Sequence, residues 1–326
     1  MFKSKIFTGW YFCALVVLLT AFALFNTIDF LLNHLVFPCM MVGGAFVAGF
    51  TPEGGGAVAF PVLSVFMKVP REFARDFSMM IQSVGMTSAS VFILSHRDTV
   101  PRHYKPLLWF VPVCAVGTLL GFLYLQKIPV YIIQALFLSL SATFVITYYL
   151  SDQRGTEEEV KIKSNFDLAY LGLVLIIGGM VSSLFGTGGD VVLYLVLITH
   201  FNMTAKKATR ISIVLQASIS ILGFCYRAFV EHALTHYQIQ CWLCAAPVVL
   251  FMAPFGVYVL ARLHVNWMLR FIIVLNIFQL VYFNARQPSV QKLVASATFT
   301  AILAVVFSLL LRSMSARNRA AAAAAQ

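Results

Sequence analysis

Apolar runs separated by short polar stretches recur along the whole chain, at 6–28, 35–67, 76–95, 106–125, 130–150, 167–200, 209–229, 239–261, 265–284 and 290–311. Runs of this length match the roughly 30 Å hydrocarbon core of a bilayer. They do not alternate with period two, so helices rather than a barrel satisfy their backbone polar groups. The pattern predicts an all-α integral membrane protein of about ten transmembrane segments, without a separate soluble domain. Two runs, 35–67 and 167–200, are too long for one straight span, and each holds a glycine cluster. At about 1.5 Å rise per residue, a helix broken at the glycines fits better than a continuous one.

The two broken runs stand in matching places. Gly55-Gly56 aligns with Gly188-Gly189 at an offset of 133, Ala74 with Ala208 and Gln82 with Gln216 at 134, and Pro112 and Gly121 with Pro247 and Gly256 at 135. At the 133 offset, Glu53 falls on Gly186 and Ala57 on Asp190. Two homologous halves with glycine-broken helices follow. The chain divides into an extra N-terminal helix (1–34), a first repeat (35–150), a polar linker (151–165, SDQRGTEEEVKIKSN), a second repeat (166–284), a final helix (285–312) and a basic, alanine-rich tail (313–326). Paired, interrupted helices in a duplicated membrane protein point to a transport site near the midplane.

Composition agrees: 60% of the 326 residues are apolar, 11% are charged, and mean hydropathy is +0.88. The net charge of +11 is scattered over loops and ends, which suits anionic lipid and not nucleic acid. If each broken run crosses once, Lys3, Lys5, Lys68, Arg71, Arg75, Lys127, Lys206, Lys207, Arg210, Arg262 and the basic tail share one side, cytoplasmic by the positive-inside rule, with Arg97, Arg102 and Lys105 opposite. If the broken runs are re-entrant hairpins, the parity changes and the repeats become inverted.

The candidate site is the pair of glycine turns. Glu53, Gly54, Gly55 and Gly56 form one, and Thr187, Gly188, Gly189 and Asp190 the other. Helices restarting there expose free N–H groups and a positive end that favour a small anion. Helix packing would account for the glycines but not for Pro52, Glu53 or Asp190. Carboxylates inside an apolar region are costly and mark function, which makes Glu53 and Asp190 candidates for coupling to a proton or sodium. Otherwise Asp190 caps the second half-helix and Glu53 borders a wet vestibule. Gln82 and Gln216 either donate to the anion or bond between helices. Arg75 and Arg210 either anchor the membrane surface or draw an anion toward a cytoplasmic mouth. Cys241 and Cys244 form a lone CxxC, read as helix core. His232 and His236 have metal-pair spacing without a H-E-x-x-H order. No metal, cofactor or ATP-binding motif is expected.

The segment GGAFVAGFTPEGGGAVAFPVLSVFMKVPREFARDFSM (43–79) resembles the first motif of the sulfite exporter TauE/SafE family, and GGMVSSLFGTGGDVVLYLVLITHFNMTAKKATRISI (178–213) resembles its repeat. The resemblance covers most of 37–284. It implies a multi-pass inner-membrane carrier exporting sulfite, a sulfonate or a related small anion, with Gly54, Gly55, Gly56, Pro61, Gly186, Gly188 and Gly189 implicated. Glu53 and Tyr194 depart from the family pattern, and the second copy reads GTGGD without a triple glycine. Alternating access is the expected mechanism. An anion channel, or a membrane enzyme or sensor without transport, is the alternative.

Overall fold

In the computed structural model, residues 2, 4–96, 99–150, 155–162, 164–285 and 288–324 are described, together with the side chains of these except 56, 57, 65 and 313–324. Lys3, Arg97, the start of the expected linker (151–154) and the tail side chains lie outside that set. The described chain is α-helical, with one isolated bridge between Glu157 and Met203. Nine of its helices are long and apolar enough to cross a membrane. They include α1 (Lys5–Phe25), α5 (Arg71–Leu94), α7 (Val130–Leu150), α10 (Ala205–Cys225), α11 (His236–Arg262), α12 (Val265–Ala285) and α13 (Val290–Ala324). Also among them are α6 (Leu107–Tyr124), entered through a short 3-10 turn, and α8 (Asn165–Phe185), opened by a Ser164/Asp167 capping box. The short α2 (Ile28–Asn33) joins α1 to the first repeat.

Each broken run is a hairpin. The first is α3 (Val36–Phe50), a turn, and α4 (Gly56–Pro61), which continues through a π-turn at Val62–Phe66 after Pro61. The second is α8, a turn, and α9 (Gly189–Thr199). A helix merely kinked could not bring residues fourteen apart into contact. Yet a β-carbon built on Gly44 would lie 3.6 Å from Val58 Cβ, and one on Gly178 would lie 3.5 Å from Val192 Cβ. Both chains therefore turn back. In the second hairpin, His200 Nε2 and Asp167 Oδ1, 2.8 Å apart, tie its open ends together.

The hairpins enter from opposite ends of the bundle. The proximal end gathers Phe7 against Phe92, Lys207 against Glu158, and Lys206 against the Ala261 carbonyl. The distal end gathers Asn26 against Gln240, Arg71 against Ile128, Phe73 against Tyr237, and Phe66 against Tyr282. The first hairpin opens distally and the second proximally, so the re-entrant alternative is the one adopted and the halves run antiparallel. Lys68, Arg71, Arg75 and Lys127 consequently lie at the other end from Lys5, Lys206, Lys207, Arg210 and Arg262.

Packing repeats across the halves. The hairpin helix α3 packs on α11, and α8 packs on α6. A β-carbon on Gly256 would lie 2.8 Å from Phe50 N, with Phe46 and Gly49 also against it. One on Gly121 would lie 3.0 Å from Met180 Cα and 2.8 Å from Ser183 Cβ. Such close approaches supply the dispersion contacts that hold helices together in lipid, where apolar burial contributes little. The self-paired helices α5 and α10 pack on each other at the centre, as do α7 and α12. Burial separates centre from rim: 72% of the apolar window of α5 is covered, against 17% for α1 and 11% for α13.

Two predictions follow from this arrangement. Gly256→Val would overpack the α3–α11 contact at a cost of about 1–3 kcal/mol, and a thermal midpoint of the detergent-purified variant equal to wild type would contradict the contact. Lys127→Cys and Arg262→Cys, matched positions in the two halves, should react with an impermeant maleimide from opposite sides of sealed vesicles once the six native cysteines are replaced. Labelling from the same side would exclude antiparallel halves.

Candidate functional site

The two hairpin tips, residues 51–55 and 186–188, meet inside the bundle. Backbone leaving a helix within a membrane has no water to bond, so its polar groups must find protein partners. Thr51 Oγ1 donates to the Val47 carbonyl at 2.9 Å and accepts from Glu53 N at 3.3 Å. Gly54, Gly186 and Gly188 have φ of +69°, +78° and +119°, a region that favours glycine. The Gly186 carbonyl accepts from Gln82 Nε2 at 2.7 Å and Gln216 Nε2 at 3.5 Å. Thr187 Oγ1 donates across the tips to the Glu53 carbonyl at 3.2 Å. The sequence-predicted residues Glu53, Gly54, Thr187, Asp190, Gln82 and Gln216 are thus one cluster. Gly55 and Gly188 cap, and Gly56 and Gly189 open, the returning helices α4 and α9.

These contacts correct the register of the repeat. Gly55 faces Ala48, the Gly44 carbonyl and Gln82, while Gly189 faces Ser182, the Gly178 carbonyl and Gln216. Every pair differs by 134. Glu53 therefore corresponds to Thr187, not Gly186, and Asp190 to Gly56, not Ala57. A one-residue difference in where the helix restarts (Gly56 against Gly189) made 133 look right for the glycines alone.

Asp190 is fully buried, and its Oδ1 accepts from Gly188 N and Val191 N, both at 3.0 Å. Gly189 N donates to Ser182 Oγ at 2.8 Å. The amides at the start of α9 are therefore held by the protein's own oxygens, and capping is what Asp190 Oδ1 does. Among the described residues its Oδ2 has no hydrogen-bond partner. Glu53 is 2% exposed, with Oε1 2.5 Å from Asn276 Nδ2 and Oε2 unpartnered. Gln82 Nε2 also donates to the Ser78 carbonyl at 3.1 Å, which fixes the amide and leaves Oε1 as an unpartnered acceptor. Asp190 Oδ2, Thr187 Oγ1 and Gln82 Oε1 lie 2.5, 2.6 and 2.8 Å from where a Gly54 β-carbon would sit. The cluster is rich in acceptors, so its chemistry calls for a proton or a cation.

Sequence reasoning missed Asn276. The signal was available, because an amide inside the apolar stretch IIVLNIFQLVYF is a polar group in a span. Surface anchoring does not describe Arg75, which is 2% exposed. Its Nε donates to Asp76 Oδ1 at 2.8 Å and its Nη1 to Gln126, while Arg227 holds both oxygens of Asp76 at 3.0 and 2.8 Å. Arg210 lies instead at the proximal end. It lines a cavity of about 250 Å³ with His96, Tyr258 and Arg262, and borders another of about 670 Å³ with Lys206, Lys207 and His264.

The family model described as sulfite exporter TauE/SafE matches residues 35–283, and the chain belongs to that family of membrane transporters. Comparison with curated proteins and with solved structures finds no match. The matched region begins just before α3 and ends within α12, so it takes in both hairpins.

Gly54→Ala should be damaging at this site. It puts a methyl among three oxygens and forces a β-carbon into a left-handed conformation, at roughly 1–2 kcal/mol for the backbone alone. The expected result is a lowered thermal midpoint and lost anion flux in liposomes. Flux equal to wild type would show that the tips do not need this close approach.

Proposed function

We propose that the chain is a secondary transporter that exports a small anion, sulfite or an organosulfonate, across the inner membrane by alternating access. The observation that carries this reading is the contact of two oppositely inserted hairpin tips, with Glu53, Gly54, Gly55, Gly56, Gln82, Thr187, Gly188, Gly189, Asp190 and Gln216 around it, in a member of a transporter family. Residues 35–150 and 166–284 serve as the two repeats, with 1–34 and 285–312 flanking them. The tips touch, so a solute passes only when they part. Parting one hairpin from its own end and then the other is alternating access, and it favours a carrier over an open channel.

The basic proximal end, with Lys5, Lys206, Lys207, Arg210 and Arg262, faces the cytoplasm by the positive-inside rule. Its cationic cavities then form the vestibule from which an anion is taken for export. Glu53 and Asp190 supply the coupling. A proton on Asp190 Oδ2 neutralises one of the unpartnered acceptors gathered beside Gly54, and protonating both carboxyls removes the repulsion that an incoming anion would meet. Sodium at the same oxygens would have the same electrostatic effect.

The test is uptake of sulfite and a panel of sulfonates and carboxylates into liposomes under an imposed proton or sodium gradient. Saturable, gradient-driven flux is expected. Glu53→Gln and Asp190→Asn should each slow it about tenfold or more, the scale of one lost charge-assisted interaction. Flux that grows linearly with concentration and ignores both gradients would replace the carrier with a channel.

A further inference from the structure

We infer that Arg71 and Arg75 form a second anion site, at the distal end of the bundle, which takes a small oxyanion such as sulfite or a sulfonate between the outside and the hairpin tips. Its role in transport rests on the function proposed above, whereas its chemistry does not. Both guanidinium groups converge on Gln126 beyond the end of α6. Arg71 Nη1 donates to the Gln126 and Ile128 carbonyls at 3.2 and 3.3 Å, and Arg75 Nη1 to the Gln126 side chain. Both are buried, at 7% and 2% exposure, yet among the described residues Arg71 Nε and Nη2 and Arg75 Nη2 have no acceptor. A buried guanidinium with open N–H groups is costly, and oxyanions match its fork.

Two further observations separate this pair from a structural clamp. Arg71, Arg75, Ser78 and Gln82 stand at i, i+4, i+7 and i+11 on α5, one stripe of a helix. That stripe runs from the distal end to the Gly186 carbonyl, where Gln82 is bound. The matching stripe on α10 is Ala205, Thr209, Ser212 and Gln216. The duplicated helix makes the same central crossing with neither arginine, so helix packing does not require Arg71, while Arg75 also holds Asp76, whose counterpart on α10 is Arg210. Lys68 and Lys127 lie exposed at the same end, and Asp76 is already held by Arg75 and Arg227.

The test is calorimetric titration of sulfite into the full chain in nanodiscs of neutral lipid. Arg71→Gln and Arg75→Lys should each weaken binding about tenfold, the scale of a lost charge-assisted bond. Lys105→Gln, which removes a cation from the proximal end, should leave it unchanged. Among the described residues the Arg71 side chain donates only to carbonyls, so Arg71→Gln decides the matter if Arg75→Lys does not fold. Binding unchanged in the folded arginine variants, or absent from wild type, overturns the site. A tenfold or greater loss of sulfite binding in discs containing phosphatidylglycerol would mean that lipid phosphate is the occupant, and would also overturn it. Liposome flux separates the two proposals. Wild type that binds but carries no sulfite leaves this site standing and fails the transport reading. Flux with unaltered half-saturation in the arginine variants fails this site and leaves transport standing.

Discussion

Everything at the centre of this protein depends on one carbonyl. Gly186 ends α8 with a left-handed turn deep in the bundle, where its oxygen cannot be left bare. Gln82 and Gln216, one from each half, both reach it. An unsatisfied carbonyl in hydrocarbon costs several kcal/mol, so the turn exists only where those amides can be brought to it. That requirement explains why α5 and α10 must cross at the middle and why α5 is the most covered of the long helices. It also explains why the tip of one hairpin is built partly by the half to which it does not belong.

The same constraint accounts for what was legible in the sequence. Buried amides and glycine breaks interrupt apolar runs, so the matched glutamines and the two clusters stood out, as did Glu53 and Asp190. The helical membrane architecture and the membership of the family were readable for the same reason. The direction of the chain after each break was not. Whether α9 continues past α8 or returns along it is decided by Gly178 admitting Val192, a contact between residues that hydropathy treats alike. With that turn unresolved, the end to which Lys68, Arg71, Arg75 and Lys127 belong was unresolved as well. Arginines near a span boundary resemble lipid anchors in a linear reading. Only the neighbours Asp76, Gln126 and Arg227, drawn from three separate segments, show that Arg75 is interior.

The local twofold between the halves is a property of backbone packing more than of side chains. It is close where helices touch, through Gly121 and Gly256 or Gly55 and Gly189. It fails where polar groups gather. Glu53 opposes Thr187, Gly56 opposes Asp190, and Arg71 and Arg75 oppose Ala205 and Thr209. Glu53 finds Asn276 on α12, whose counterpart on α7, at the offset of 135 that relates Lys127 to Arg262, is Ser141. The two halves share a packing frame, and the differing polar positions give each its own chemistry.

That loss of symmetry bears on the resting state of the molecule. Two identical halves inserted in opposite senses would make the conformations open to either side mirror images in energy, each populated half the time without solute. With a carboxylate facing a hydroxyl across the axis, and two guanidinium groups on one half alone, that degeneracy is lifted. About 1.4 kcal/mol of difference is enough for a ten-to-one preference. Under the alternating access proposed above, the empty protein then waits facing one compartment, and the side on which it waits sets how steeply its rate responds to solute there, while the gradients alone fix the direction of net flow.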